Sequence, residues 1–198
     1  MNRPGAADAL PMGRAAIFEV LHAGYGEPNV ASTVGYARDG DRHIVTDPGM
    51  VRDRSVILEP LKALGVHPDQ ITDVILSHHH PDHSMNVALF RHARVHDHWA
   101  IYHGDRWQWR DADGYSVSPS IRLFRTPGHT AEDITTLIGT PNGVTAVTHV
   151  WNDANSASDR HAVNFDALHD SRAKVLALAD MVVPGHGPLF VPGPSTPR

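Results

Sequence analysis

His78-His79-His80-Pro81-Asp82-His83 is the stretch of this chain that decides how the rest is read. Read as His-x-His-x-Asp-His, its four imidazoles and one carboxylate supply the nitrogen and oxygen donors of a catalytic zinc or iron site. The run follows Val74-Ile75-Leu76, an apolar segment that reads as a buried strand. In extended chain, side chains at i and i+2 point the same way. Pro81 biases His80 away from the helical region, so His78 and His80 converge while His79 points elsewhere. Pro81 also suits the first turn of a helix, in which Asp82 and His83 would aim at a second, adjacent point. One short motif can thus serve two metal positions.

Around this run the chain reads as one globular domain over 15–191, with 1–14 and 192–198 as flexible termini. Of 198 residues, 41% are hydrophobic and 20% charged, a balance that supports a substantial core. The formal charge of −5 and the lack of any Lys/Arg run argue against nucleic-acid binding, which calls for a basic stripe. With no cysteine, disulfides, zinc–thiolate ligation and a Cys nucleophile are excluded. That composition fits a cytoplasmic protein. Met1 to Arg14 has no apolar core of signal-peptide length, and no segment is long and apolar enough for a membrane span.

Strands are expected at Ile17 to Leu21, Ser32 to Tyr36 and His43 to Thr46, with Asp39-Gly40 turning a hairpin between the last two. An amphipathic helix is expected over 51–64, stopped by Gly65, and a strand over Ile71 to Leu76. Further strands read at Ile121 to Arg125, Ile134 to Ile138, Val144 to Thr148 and Met181 to Val183, with a helix over 165–179. Strands, helix, strands and helix again suggest packed sheets flanked by helices.

Three more histidines, His129, His149 and His186, stand at strand ends. Two of them lie in Pro-Gly-His turns, where glycine permits close backbone approach to a bound group. Asp47-Pro48-Gly49, the 78–83 run, Thr126-Pro127-Gly128-His129-Thr130 and Pro184-Gly185-His186-Gly187 occur in this order along nearly the whole chain. Together they resemble the metallo-β-lactamase superfamily. The wording of Thr126 to Asp133 and of 78–90 looks most like the metallo-β-lactamase domain-containing protein 1 subgroup.

That resemblance implies an α/β fold, a four-layer αβ/βα sandwich of two mixed β-sheets flanked by helices. It implies that His78, His80 and His129 hold one metal, that Asp82, His83 and His186 hold another, and that Asp47 steadies the ligand loops. Zinc, as one or two ions, is the expected cofactor, with iron or manganese as alternatives. The pattern departs from the family at His149, where a bridging Asp is usual. A carboxylate can join two metals about 3.5–4 Å apart; an imidazole cannot do so in the same way. Three arrangements follow: His149 binds the second metal terminally, it binds none and the second site is weak, or Asp153 substitutes.

The expected activity is metal-dependent hydrolysis, in which metal-activated hydroxide attacks a small ester, thioester, lactone or phosphodiester and Asp82 orients the nucleophile and shuttles a proton. A metal-binding protein with iron redox activity, or with no catalysis, is the alternative from a different class. Trp151 and His161, on the polar stretch after His149, are candidate substrate contacts of a lid. Trp99, Tyr102, Trp107 and Trp109 could line a binding wall or a homodimer interface.

Overall fold

The computed structural model describes residues 15–198; the expectation for 1–14 lies outside them. Two sheets face each other. The first is built in chain order from β1 (Ile17–His22), β2 (Val34–Asp39), β3 (Arg42–Thr46), β4 (Asp73–Ile75), β5 (Arg94–His96), β6 (Ala100–His103) and β7 (Arg106–Trp109). The second runs β12 (Met181–Val183), β11 (Gly143–Val147), β10 (Ile134–Thr140), β9 (Ile121–Arg125) and β8 (Ser116–Ser118). Both are mixed: β3, β4 and β5 pair in parallel, as do β11 and β12, while the remaining pairs are antiparallel.

The layering follows from the period of two along each strand. Ala37, Ile44 and Ile75 of the first sheet meet Ile121, Leu123, Ile134, Ile138, Val147 and Val183 of the second in one central core. Their neighbours Tyr36, Val45 and Val74 turn outward onto Ile57 and Leu61 of α1 (Ser55–Ala63). Leu137, Ala146 and Val182 turn outward on the other side, onto Leu168 and Val175 of α3 (Phe165–Leu178). Strands buried on both faces read as apolar runs rather than as alternations, which is why Val74-Ile75-Leu76 and Met181-Val182-Val183 have that form. The result is helix, sheet, sheet, helix, the expected four layers with a single long helix on each side.

The expected α1 begins four residues later than its periodicity suggests, because Asp53 accepts the Ser55 amide and closes a turn there instead. The four strands β5 to β8 had no counterpart in the sequence reading; each is three or four residues long, and none carries an apolar run. The C-terminal segment makes two contacts with the body of the domain near its end. The Pro197 carbonyl accepts from the Trp151 indole at 2.8 Å and the Arg198 carbonyl meets His169 Nδ1 at 2.7 Å. No described helix is long and apolar enough to cross a membrane.

Candidate metal centre

The C-terminal ends of β3, β4, β9, β11 and β12 open onto one edge of the sandwich, and each delivers a loop bearing His or Asp. The His run leaves β4 in extended form. His80 (φ −61°, ψ 145°) stands as the N-cap of α2 (Pro81–Ser84), a four-residue helix begun by Pro81. His78 Nε2 lies 2.9 Å from His80 Nδ1, and His129 Nε2 lies 3.1 Å from the same atom. Beside this trio, Asp82 Oδ2 lies 3.4 Å from His83 Nε2 and 3.5 Å from His186 Nε2. Ligand atoms of His78, His80 and His129 fall within 4.8 Å of one another, and so do those of Asp82, His83 and His186.

These two groups fit metal ions better than they fit each other. A ring nitrogen offers one proton or one lone pair, so His80 Nδ1 cannot satisfy both of its imidazole neighbours by hydrogen bonding. Three nitrogens bound to one tetrahedral zinc at about 2.0–2.1 Å would stand about 3.3 Å apart, close to the spacing found. His83 Nε2 is buried without a hydrogen-bond partner, which costs free energy unless something accepts its lone pair. Burial, reinforced by the charges of neighbouring histidines, pushes His78 and His149 well below the usual imidazole range. Both are therefore neutral, the form that ligates.

The far nitrogens are held by the protein, which sets ring orientation and tautomer. Ser77 Oγ meets His78 Nδ1 at 3.0 Å. Asp159 Oδ2 meets His129 Nδ1 at 2.6 Å, and the Ala31 carbonyl accepts from His186 Nδ1 at 2.9 Å. Asp47 Oδ2 lies 3.1 Å from His83 Nδ1, while Asp47 Oδ1 accepts the Ser77 amide at 2.7 Å. Asp47 takes a left-handed backbone (φ 48°) to do this, a cost of order 1 kcal/mol that its surroundings must offset. Gly49 is required by close approach: a Cβ there would sit 1.5 Å from the Asp82 carbonyl oxygen. A Cβ on Gly185 would sit 2.4 Å from His149 Cδ2. Hydroxyls of Thr126, Thr135 and Thr148 form a buried chain at 2.8 and 2.6 Å that ties the loops of His129 and His149 together.

His149 sits between the groups. Its ring centroid is 4.0 Å from that of His129, 4.8 Å from those of His78 and His83, and 5.0 Å from that of His186. Its Nε2 is 3.1 Å from His186 Nε2, and its buried Nδ1 has no partner. Asp153 instead accepts the Asn155 amide within its own loop turn and belongs to no metal-capable group among the described residues. The geometry thus disfavours Asp153 as a replacement bridge.

Trp151 is corrected from a substrate contact to a core residue. It is fully buried against Phe190, with Arg172 over its ring at 5.6 Å. His161 is exposed beside the first group; burial lowers the His80 pKa, and charge on His129, His83 and His161 adds to that effect. His79 points away from both groups, as its alternation requires, and is held by Glu132 at 3.0 Å and Asp97 at 3.2 Å. Asp159 was not foreseen; it lies thirty residues from the histidine it supports, with no local pattern to mark it.

The chain belongs to the metallo-β-lactamase superfamily, whose family model matches residues 28–193. Within it, the chain is 31% identical over 169 residues to metallo-beta-lactamase domain-containing protein 1 of Xenopus laevis, covering 76% of this chain and 69% of that protein. It is 36% identical over 98 residues to hydroxyacylglutathione hydrolase of Aeromonas hydrophila, covering 44% of this chain and 35% of that one. It is also 29% identical over 131 residues to the N-acyl homoserine lactonase AiiB of Agrobacterium fabrum, covering 64% and 42%. The chain spans 49% to 69% of the length of the first five curated relatives it matches. Among solved structures, a chain from Thermotoga maritima described as a metallo-beta-lactamase superposes with a TM-score of 0.69 at 21% identity, covering 90% of this chain and 100% of that one. Another, solved in a di-iron-bound form, gives 0.62 at 18%, covering 86% and 94%. These last two bear on the fold.

Proposed function

We propose that this chain is a metal-dependent hydrolase acting on a small ester, thioester or lactone. The observation that carries the reading is the convergence of His78 Nε2, His80 Nδ1 and His129 Nε2 beside Asp82, His83 and His186 on one open edge. Relatives named as a hydroxyacylglutathione hydrolase and as an N-acyl homoserine lactonase support the carbonyl class over phosphodiesters. The acidic chain offers no basic stripe for a polyphosphate backbone.

In this reading, His78, His80 and His129 hold a first ion, and Asp82, His83 and His186 a second, with His149 a terminal ligand of the second. Zinc is the proposed ion, on the strength of an all-nitrogen first group. When bound, such ions lower the pKa of water toward neutrality and polarise the electrophilic oxygen. Asp82 has one oxygen facing His83 and His186; its carboxylate orients the attacking water and carries a proton to the leaving oxygen or sulfur. His161, exposed at the mouth, contacts the substrate. The cytoplasm is the proposed compartment, in keeping with a cysteine-free chain.

The test is a hydrolysis panel of esters, thioesters, lactones and phosphodiesters in anaerobic buffer, with chelated enzyme and His80→Ala as controls. Turnover of carbonyl substrates that both controls abolish is expected. A flat panel, activity that survives His80→Ala, or turnover that requires oxygen overturns the reading.

A further inference from the structure

Three of the four tryptophans of the chain, Trp99, Trp107 and Trp109, stand exposed together at one end of the first sheet. There β7 is last in the sheet order, with no strand beyond it among the described residues, and all four of its residues are exposed. Trp107 and Trp109 share one face of the strand. Their rings lie 4.8 Å apart, and Trp99 packs against them at 6.1 and 5.2 Å. This wall is braced from behind. Trp99 Nε1 donates to the Tyr102 hydroxyl at 2.9 Å, and that hydroxyl donates to Asp97 at 2.6 Å. Rings already held in place lose little freedom when a partner covers them.

We propose that β7 pairs antiparallel with β7 of a second copy of this chain, about a two-fold axis through Gln108, so that one sheet runs through a homodimer. The first support is the order of residues. Arg106-Trp107-Gln108-Trp109-Arg110 reads the same in both directions. A two-fold contact needs a patch complementary to itself. With Gln108 on the axis, Trp107 stands opposite the partner's Trp109, and the tryptophans of both copies fall on one shared face.

The second support is the phase of the backbone. The amides of Arg110 and Ala112 donate to the carbonyls of Trp99 and His98 at 2.7 and 3.0 Å, toward the β6 side. These directions alternate along a strand, so the N–H and C=O groups of Trp107 and Trp109 point to the open edge. In the proposed register Trp107 and the partner's Trp109 exchange both bonds, and the axis repeats the exchange. Gln108, whose amide faces β6, falls on the non-hydrogen-bonded pair between them.

Charge is the third support. Exposed edges are commonly guarded by charged side chains, and β7 itself carries one, Arg106. It stands opposite the partner's Arg110, whose guanidinium is shielded from solvent and held 4.8 Å over the Tyr115 ring rather than presented at the edge. The exposed charge next to that position is Asp111, of opposite sign. Area is in keeping as well. Exposures of 42%, 51% and 64% for Trp99, Trp107 and Trp109, on about 250 Å² for a whole tryptophan, leave about 400 Å² of these residues in water on each copy. That is about half of what one side of a standard interface buries, before the paired backbone and flanking residues are included.

The experiment is sedimentation of the full chain, metal-loaded and chelated alike. A dimer at micromolar concentration that dissociates on dilution is expected. Trp109→Lys, at an exposed position where folding is not at risk, should raise the concentration of half-dissociation at least about tenfold, with the circular dichroism of the wild type retained. The chain has no cysteine, so Gln108→Cys places one thiol of each copy on the axis. Facing residues of such a pair have Cα atoms about 4.5 Å apart, within disulfide range. Under oxidised glutathione this variant should give a covalent dimer, whereas Arg106→Cys, two residues off the axis, should stay uncrosslinked. A monomer at every concentration overturns the proposal and leaves the wall to a different partner or to none. So does a dimer that Trp109→Lys leaves intact, or one that crosslinks as readily through Arg106→Cys as through Gln108→Cys. Because chelated protein gives the same readout, this proposal and the hydrolase reading fail separately.

Discussion

The two ligand groups lie side by side but are supported differently. His78 and His80 leave β4 on a strand end, yet the third member of their group, His129, is held by Asp159, which arrives on the long loop after His149. Asp82, His83 and His186 rest on Asp47, the Ala31 carbonyl and a Gly49 contact, all at strand ends or tight turns. The first group is thus complete in its donors but depends on a loop. The second is rigidly mounted, but it has an imidazole, His149, where a carboxylate would add charge. Ligand completeness and scaffold rigidity have been distributed to different places, and on the proposed reading ions held in the two groups should answer differently to the same perturbation.

Support for the loop is the sharpest place to break this contrast. Trp151 is fully buried, and Arg172 donates to the carbonyls of Val150, Ala157 and Ser156 at 2.8, 2.9 and 3.1 Å respectively. Trp151→Ala should cost about 3–5 kcal/mol in denaturant unfolding, with the first metal loosened more than the second. Asp159→Asn keeps the shape but removes the charge behind His129. First-step metal affinity should fall about 10–100-fold by calorimetry, with the second step nearly unchanged; equal losses would mean the groups are not separately supported.

A third change probes the odd residue of the run. Burial alone would raise the Asp97 carboxyl, but hydrogen bonds from His79, Tyr102 and two backbone amides hold it at about 2. Its folded value lies below the unfolded one, so the stability it contributes is full above about pH 4 and is lost as pH falls through about 2. Asp97→Asn should therefore destabilise by on the order of 2 kcal/mol at neutral pH. The gap to wild type should close as the pH approaches 2 in urea melts, while first-step metal binding is retained because His79 faces away from the ions. The smallest expected effect is a gain. His149→Asp should tighten the second step by on the order of tenfold by adding a carboxylate charge, and leave the first step in place.

The candidate ligands could be picked out in the sequence because each is tied to its own local pattern. His-x-His-x-Asp-His states its geometry through alternation and Pro81, and the Pro-Gly-His turns mark where strands end. The two-face burial of β4 and β12 was legible for the same reason, as unbroken apolar runs. Strands β5 to β8 were not, because they are too short for a period and owe their pairing to neighbours. Asp159 and the Ala31 carbonyl were silent too: contacts made across thirty and more than a hundred and fifty residues leave no spacing to read. Trp151 misled because it stands two residues after His149, whereas the turn after β11 sends its indole inward.

The central claim is that one edge of the sandwich binds two ions with unequal strength. Its most direct test is a calorimetric titration of the metal-free chain with zinc, with bound metal counted by mass spectrometry, repeated on His129→Ala and His186→Ala. The account predicts two steps, the tighter lost in His129→Ala and the weaker lost in His186→Ala. A single step, two steps that vanish together in either variant, or no binding at all would contradict it.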